Sequence, residues 1–140
     1  MHEALRRLIG SGPLAHLVTL NADGSPQVTI VWIGVEDEEI VSGHLFHHRK
    51  LRNIERDPRV ALSLEGHNEN AVGMRDYAVV YGRARITEGD APELLHRLAQ
   101  IYVGTGTEFP PIPDPPPGFV TRITVERIAG QGPWAASAEK

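Results

Sequence analysis

The sequence predicts a mainly β fold with short helices, in which about six antiparallel strands form a closed or split barrel. Three observations support this prediction. Six runs are rich in β-branched and aromatic residues and are joined by short connections. Turn signals such as Asn21-Ala22-Asp23-Gly24 are typical of antiparallel hairpins. Helical segments separate only one or two of the strand pairs, which argues against a parallel sheet.

The individual elements follow from hydrophobic periodicity and from the positions of glycine and proline. Strands are expected at residues 14–20, 27–35, 40–47, 60–65, 77–87 and 119–128. Helices are expected at residues 2–9, 49–56 and 91–102. Residues 66–73 and the proline-rich residues 104–118 are expected to be loops, and a C-terminal tail is expected from about residue 130. A single domain of residues 1–140 accounts for the chain.

Composition excludes several classes of function. The 140 residues carry a formal net charge of −4, whereas a general nucleic-acid binder has a strongly basic domain. The absence of cysteine excludes disulfides, thiol nucleophiles and thiolate metal sites. The first residues lack the apolar core of a signal peptide, and no apolar run approaches the ~18 residues of a membrane span. We therefore expect a cytoplasmic protein with no membrane span and no nucleic-acid partner.

The segment from His44 to Asn53 carries the most specific functional signal. It runs from a predicted strand end into a predicted helix start, where free backbone N–H groups and the helix dipole favour an anion. The same dipole disfavours Arg49 and Lys50 at this place by about 0.3–1 kcal/mol each. With a phosphate bound at the helix start, the positive charges of Arg49 and Lys50 become favourable there. The alternative is that Arg49 and Lys50 are solvated surface charges.

Two other interpretations of this segment are disfavoured. His44, His47 and His48 lack an accompanying cysteine or well-placed carboxylate, and adjacent strand residues point to opposite faces. The basic residues at positions 49, 50, 52, 56 and 59 are interrupted by acidic residues and lack aromatic neighbours for base stacking. We therefore expect neither a metal site nor a nucleic-acid patch here.

The chain shows no motif for side-chain catalysis. It has no Ser-His-Asp arrangement, paired-carboxylate motif, P-loop or dinucleotide-binding glycine motif. No catalytic residue is therefore predicted, and if the protein is an enzyme, a cofactor must supply the reactivity.

Residues 27–33 lack alternating polarity, which predicts a central strand with both faces covered. Such a strand needs no ligand, although a flat ring fits along its backbone with Thr29 as a hydroxyl donor. Trp134 follows the last predicted strand and is too apolar to remain exposed without a reason. It is expected to cap the barrel, to meet a second subunit or to stack on a ring.

Several short motifs occur in a recognisable order. They are Leu17-Val18-Thr19-Leu20, Asp23-Gly24-Ser25-Pro26-Gln27-Val28, Arg49-Lys50-Leu51-Arg52-Asn53-Ile54, Asp57-Pro58-Arg59-Val60 and Tyr81-Gly82-Arg83-Ala84. In this order the sequence resembles the pyridoxamine 5′-phosphate oxidase-like superfamily, the flavin and deazaflavin oxidoreductases with an FMN-binding split β-barrel. The resemblance extends from about Leu5 to Trp134.

The resemblance implies a cofactor site. It assigns to the isoalloxazine or deazaflavin ring the strand residues Gln27, Val28, Thr29, Ile30, Val31 and Trp32. It assigns to the ribityl phosphate Gly43, His44, Arg49 and Lys50, with His48 and Asn53 beside them. Tyr77 and Trp134 are expected near the cofactor, partly across the interface of a homodimer. His48 departs from the family pattern, in which a small hydroxyl residue or an arginine is frequent.

Within the superfamily the sequence most resembles the short actinobacterial branch that uses coenzyme F-420. This implies hydride transfer from reduced deazaflavin to an unsaturated small molecule, whose site is expected to be shaped by residues 66–74, residues 104–118 and the tail. The substrate motif of true pyridoxamine phosphate oxidases is not recognisable. Two alternatives remain open: an FMN-dependent oxidase or reductase, and a flavin- or deazaflavin-binding protein without catalysis.

Overall fold

The computed structural model describes residues 1–135, which form three helices, seven strands and one short 3-10 turn. The helices are α1 (Glu3–Gly10), α2 (Arg49–Arg56) and α3 (Ala91–Tyr102). The strands are β1 (Ala15–Leu20), β2 (Pro26–Val31), β3 (Gly34–Glu36), β4 (Glu39–His44), β5 (Arg59–Glu69), β6 (Arg75–Glu88) and β7 (Phe119–Gln131). The 3-10 turn spans Pro133–Ala135.

The strands form one antiparallel sheet in the order β2-β1-β5-β6-β7-β4-β3. Strands β2 and β3 are its two edges, so the barrel is split and not closed. The prediction of a mainly β, split-barrel fold with short helices is confirmed. No helix within residues 1–135 is long and apolar enough to cross a membrane.

The prediction of one covered strand at residues 27–35 is wrong in two respects. The run is divided at Trp32 and Ile33 into β2 and β3, which gives seven strands instead of about six. β2 is moreover an edge strand, and its Val28 and Ile30 side chains are exposed. An apolar pattern shows that a face needs cover, but it does not show whether the cover comes from the same chain.

The prediction of a loop at residues 66–73 is wrong for residues 66–69 and right for residues 70–73. β5 continues to Glu69 and β6 begins at Arg75, with a register irregularity between Glu65 and Glu69. The turn is closed by the Asn70 side chain, whose Oδ1 accepts the backbone N–H groups of Val72 and Met74 at 3.0 Å. Polar residues therefore continue the hairpin here, because its outer part faces solvent on both sides.

The three helices close the open sides of the sheet. α1 buries Leu5, Leu8 and Ile9 in the main core, each worth roughly 1.5–3 kcal/mol of transfer free energy. α3 packs on β4 at Gly43, where an added Cβ would lie 3.1 Å from Leu95 Cγ. α2 buries Leu51 and Ile54, and this packing fixes its first turn beside the end of β4.

Candidate cofactor-binding site

The first turn of α2 has no side-chain cap and no acidic residue. His48 is the N-cap residue with extended backbone, and its side chain makes no capping hydrogen bond. Its carbonyl accepts the N–H groups of Leu51 at 3.1 Å and Arg52 at 3.3 Å. No acidic residue lies in this turn. The positive end of the helix is therefore flanked by basic side chains and is left uncapped by a side chain, as the sequence predicts.

Lys50 lies in this turn near His44. It is partly buried and has no carboxylate partner among residues 1–135. Burial lowers the pKa of the Lys50 ammonium. A cation that is desolvated without a counter-charge is unfavourable in the free protein, and an anionic ligand relieves that cost.

His44 lies buried beside Lys50 at the end of β4. Its Nε2 is 2.8 Å from the Thr121 hydroxyl oxygen on β7. Burial lowers the pKa of His44 to about 3, and the positive charges of Lys50 and His48 add to this effect. The His44 imidazole is therefore neutral at physiological pH, and it leaves Lys50 as the cation of this pair.

His44 is expected to make folding sensitive to acid. Because its pKa falls from 6.5 to about 3 on folding, the unfolded chain binds the extra proton between these values, and stability is lost as pH decreases through this window. Between about pH 7.5 and pH 4.5 the loss is about 2–3 kcal/mol. Urea unfolding of wild type and His44→Gln at both pH values measures it. Between the two pH values, the free energy of unfolding of His44→Gln should fall by about 2–3 kcal/mol less than that of wild type. Equal losses in the two proteins would contradict the lowered pKa of His44.

A second basic surface follows the exposed side of α2. Arg49, Arg52, Asn53 and Arg56 recur at helical spacing and line a cleft of about 640 Å³. The opposite wall is the β1–β2 turn with Asn21, Ala22, Asp23 and Ser25. We call this the arginine cleft. Adjacent helix residues point about 100° apart, so Arg49 faces this cleft whereas Lys50 faces His44.

The arginine cleft has an excess of positive charge. Asp23 is its only acidic lining residue, and its carboxylate accepts the Ser25 hydroxyl at 2.5 Å and the Ser25 N–H at 3.0 Å. These bonds lower the pKa of Asp23, so it stays ionised. Arg49 has no carboxylate within ion-pair distance in residues 1–135, and Arg52 bonds only the His47 carbonyl at 3.3 Å. The cleft is therefore open to an anion with several charges.

Asn53 connects α2 to the β1–β2 hairpin. Its Nδ2 lies 3.0 Å from Gln27 Oε1 and 3.1 Å from both Thr19 Oγ1 and Asn21 Oδ1. The structure thus brings together Asn53 and Gln27, which the family resemblance assigns to one cofactor site. Thr19 and Asn21 are additions to that site, because contacts between residues so far apart in the chain leave no mark in local spacing.

The two faces of β2 differ in chemistry. Gln27, Thr29 and Val31 alternate on the inner face, while Val28 and Ile30 are exposed on the outer face. Thr29 Oγ1 is buried without a hydrogen-bond partner within residues 1–135. Such an orphaned hydroxyl is rare in a folded protein and fits a site that a ligand completes. Trp32 lies just beyond the strand and stacks on Tyr102, with 5.4 Å between the ring centroids. The centroid of the Phe109 ring lies 5.1 Å from that of Trp32.

Other predicted site residues lie apart from α2 within one chain. Gly43 packs closely against α3 on the side where a Cβ would lie, so a ligand can contact only its backbone N–H and carbonyl groups. Tyr77 is exposed on β6, and its carbonyl accepts the Trp134 indole N–H at 2.8 Å. Trp134 is buried against the core near α1 and caps the barrel, which is one of the three roles expected for it. Its predicted contact with the cofactor stays a prediction that involves a second subunit.

The remaining histidines of the segment are directed to separate partners. His47 Nε2 lies 3.0 Å from Glu55 Oε1, and its ring contacts Phe119. His48 is exposed, with its ring edge near Phe46. Within residues 1–135, no group of three His, Asp or Glu side chains is placed to hold a metal ion.

Comparison with known proteins identifies the family. The model of the pyridoxamine 5′-phosphate oxidase family matches residues 1–132. The chain belongs to this family. Membership relates it to the flavin and deazaflavin oxidoreductases and agrees with a site that holds a phosphate-bearing ring. The phosphate fits the α2 turn with Lys50, and the orphaned Thr29 hydroxyl fits a ring beside β2.

Three solved structures are similar to this chain over nearly its whole length. An F420 reductase is 25% identical, with a TM-score of 0.73, over 92% of this chain and 98% of its own. The conserved hypothetical protein Rv2991 from Mycobacterium tuberculosis is 27% identical, with a TM-score of 0.68, over 93% and 84%. HupZ of Group A Streptococcus, at 22% identity and a TM-score of 0.64 over 96% and 97%, shares the fold. No curated protein sequence matches the chain.

Proposed function

We propose that this chain is a cytoplasmic, F-420-dependent oxidoreductase that acts as a homodimer and reduces an unsaturated small molecule. The observation that carries the proposal is the arginine cleft, which adjoins the anion site at the start of α2. The similarity to an F420 reductase supports the same choice of cofactor.

The two cofactors of the family differ in how much negative charge they extend beyond the ring. FMN ends at its ribityl phosphate, which the α2 turn and Lys50 are sufficient to bind. F-420 continues past its phosphate into a tail of carboxylates. The cleft offers Arg49, Arg52 and Arg56 against the single carboxylate of Asp23. This excess of positive charge suits the carboxylates of F-420, which arginine binds in a forked geometry. FMN has no such carboxylates for the arginines to bind.

The residues of the chain then have distinct tasks. The N–H groups of the α2 turn and Lys50 hold the phosphate. Arg49, which the resemblance assigns to the phosphate, lines the arginine cleft and holds the acidic tail together with Arg52. Thr29 and the backbone of β2 orient the ring, whose reduced form supplies the hydride when it is bound. The sequence offers no motif for side-chain catalysis, so binding and orientation are the contribution of the protein.

The dimer is proposed to form through the outer face of the sheet. Val28 and Ile30 are 59% and 57% exposed, and Tyr77 and Tyr81 on β6 are 44% and 38% exposed. The strand register places these positions on one continuous face through β1 and β5, because Val28 opposes Val18, Val18 opposes Ala61 and Ala61 opposes Tyr81. An exposed face rich in apolar and aromatic residues is typical of a protein interface.

Ile30→Asp tests this interface. A carboxylate on the outer face of β2 is expected to weaken the dimer at least tenfold without unfolding the monomer, because the Ile30 side chain is exposed in one chain. Sedimentation equilibrium measures the dimerisation constant. Ile112→Asp, the same change at a position that is 40% exposed in the proline-rich segment, is the control. A dimerisation constant unchanged by Ile30→Asp would place the interface elsewhere.

The activity is tested by mixing the protein with reduced F-420 and a panel of enones, nitro compounds and tetrapyrroles. Return of the absorbance of oxidised deazaflavin, dependent on both protein and acceptor, is the expected result. Turnover with FMN but not with F-420 would favour the FMN alternative. Tight binding of F-420 without turnover on any acceptor would favour a binding protein.

A further inference from the structure

The buried amide of Asn53 has a fixed orientation. Its Oδ1 accepts a hydrogen bond from Arg56 Nη2 at 3.2 Å, and a second bond from the same nitrogen goes to the Leu20 carbonyl. A guanidinium group can only donate, so the atom of Asn53 that faces Arg56 must be its oxygen. The Nδ2 of Asn53 is consequently turned toward β1 and β2. Arg56 thereby decides which end of the Asn53 amide faces the hairpin.

The orientation of the Asn53 amide fixes the orientation of the Gln27 amide. Asn53 Nδ2 donates to Gln27 Oε1 at 3.0 Å, and the Thr19 hydroxyl donates to the same oxygen at 3.3 Å. Both contacts occupy the oxygen end of the Gln27 amide. Its Nε2 has no hydrogen-bond partner among residues 1–135, and the side chain is only partly buried. Gln27 therefore presents two N–H donors and no acceptor to whatever lies beside the start of β2.

We propose that Arg56 and Asn53 are positioning residues that hold the Gln27 amide with its NH₂ group toward the cofactor. The start of β2 then selects a carbonyl or anionic oxygen of the ligand and rejects a donor at that place. The inference rests on the proposed function, because F-420 is taken as the ligand. The hydrogen bonds from Arg56 to Asn53 and from Asn53 to Gln27 determine that the site binds a hydrogen-bond acceptor of the ligand and not a donor.

Side-chain amide NMR tests this orientation in the wild-type protein. The sequence has three glutamines, Gln27, Gln100 and Gln131, and loss of one signal pair in Gln27→Glu assigns the pair of interest. On addition of F-420, the Gln27 NH₂ signals are expected to shift and to exchange more slowly with water. Gln100, whose NH₂ group bonds the Thr107 carbonyl at 2.8 Å, is the internal control. Unchanged Gln27 signals at saturating F-420 would overturn the inference.

Asn53→Asp reverses the polarity with little change in size. An aspartate can only accept, so Gln27 turns its NH₂ group toward residue 53 and presents its oxygen to the ligand. We expect F-420 affinity to fall about tenfold or more, the Gln27 signals to move in the free protein, and their response to F-420 to disappear. A structural role alone would lower the unfolding temperature without moving the Gln27 response.

Asn68→Asp, the same change at an exposed position of β5, is the matched control. If Asn53→Asp does not fold, Thr19→Val removes one of the two bonds to Gln27 and is expected to give a smaller loss of affinity. Folded Asn53→Asp that binds F-420 within twofold of wild type would overturn the inference and leave the proposed function standing. Failure of wild type to bind F-420 would overturn both.

Discussion

Replacing Arg49 and Arg52 together with glutamine is expected to weaken F-420 binding about 100-fold and FMN binding less than about tenfold. Both side chains line the arginine cleft, and neither has a carboxylate partner within residues 1–135. Each charged hydrogen bond to a carboxylate contributes at least about 1.4 kcal/mol, a factor of ten in affinity. FMN ends at its ribityl phosphate, so we expect it to lose only the long-range attraction of two charges.

The double variant Arg7→Gln with Arg83→Gln is the matched control, because it removes two exposed arginines that lie outside the cleft. Fluorescence titrations at low and high salt add a second readout. F-420 affinity of the wild type should fall with salt more steeply than FMN affinity, since more ion pairs form. A double variant that binds F-420 within threefold of wild type would show that the cleft does not bind the tail.

Lys50→Met is expected to raise the stability of the free protein and to abolish most cofactor binding. Lys50 is partly buried without a counter-charge in residues 1–135, and burial lowers its pKa. A methionine keeps the apolar stem and removes the charge, which should stabilise the free protein by about 1 kcal/mol or less. Loss of a charged hydrogen bond to phosphate should weaken binding of F-420 and FMN alike by roughly 10- to 100-fold.

The opposite signs of these two effects make the Lys50 prediction specific. Thermal unfolding of the free variant and titration with both cofactors measure them on one preparation. Arg59→Met is the control, because Arg59 is exposed and paired with Asp57 at 2.7 Å, away from the cleft. A variant that loses stability, or one that binds both cofactors as tightly as wild type, would return Lys50 to the solvated-charge interpretation.

Much of the fold could be predicted from local pattern. The helices at residues 49–56 and 91–102 and the hairpin turn at Asn21 to Gly24 follow from short-range periodicity and turn chemistry. The exposed state of β2 could not be predicted, because Val28 and Ile30 look the same whether a neighbouring strand or a second subunit covers them. The division at Trp32 depends on packing against Tyr102, which is distant in sequence.

The candidate site shows the same division. Arg49 and Lys50 were recognisable from their place at a helix start, and the helical spacing of Arg49, Arg52 and Arg56 could have revealed the arginine cleft. The sequence could not show that Lys50 lies near His44 while Arg49 lines the cleft, because this depends on how α2 packs against β1 and β6. The pairing of Asn53 with Gln27 likewise arises only when α2 packs against the β1–β2 hairpin.

We propose that the arginine cleft makes this protein specific for F-420 over FMN. Equilibrium titration of the purified, cofactor-free protein with each cofactor, at one salt concentration and followed by fluorescence, tests it most directly. Binding of F-420 at least tenfold tighter than binding of FMN is the result that the structure predicts. Equal or tighter binding of FMN would contradict the claim and assign the cleft no part in the choice of cofactor.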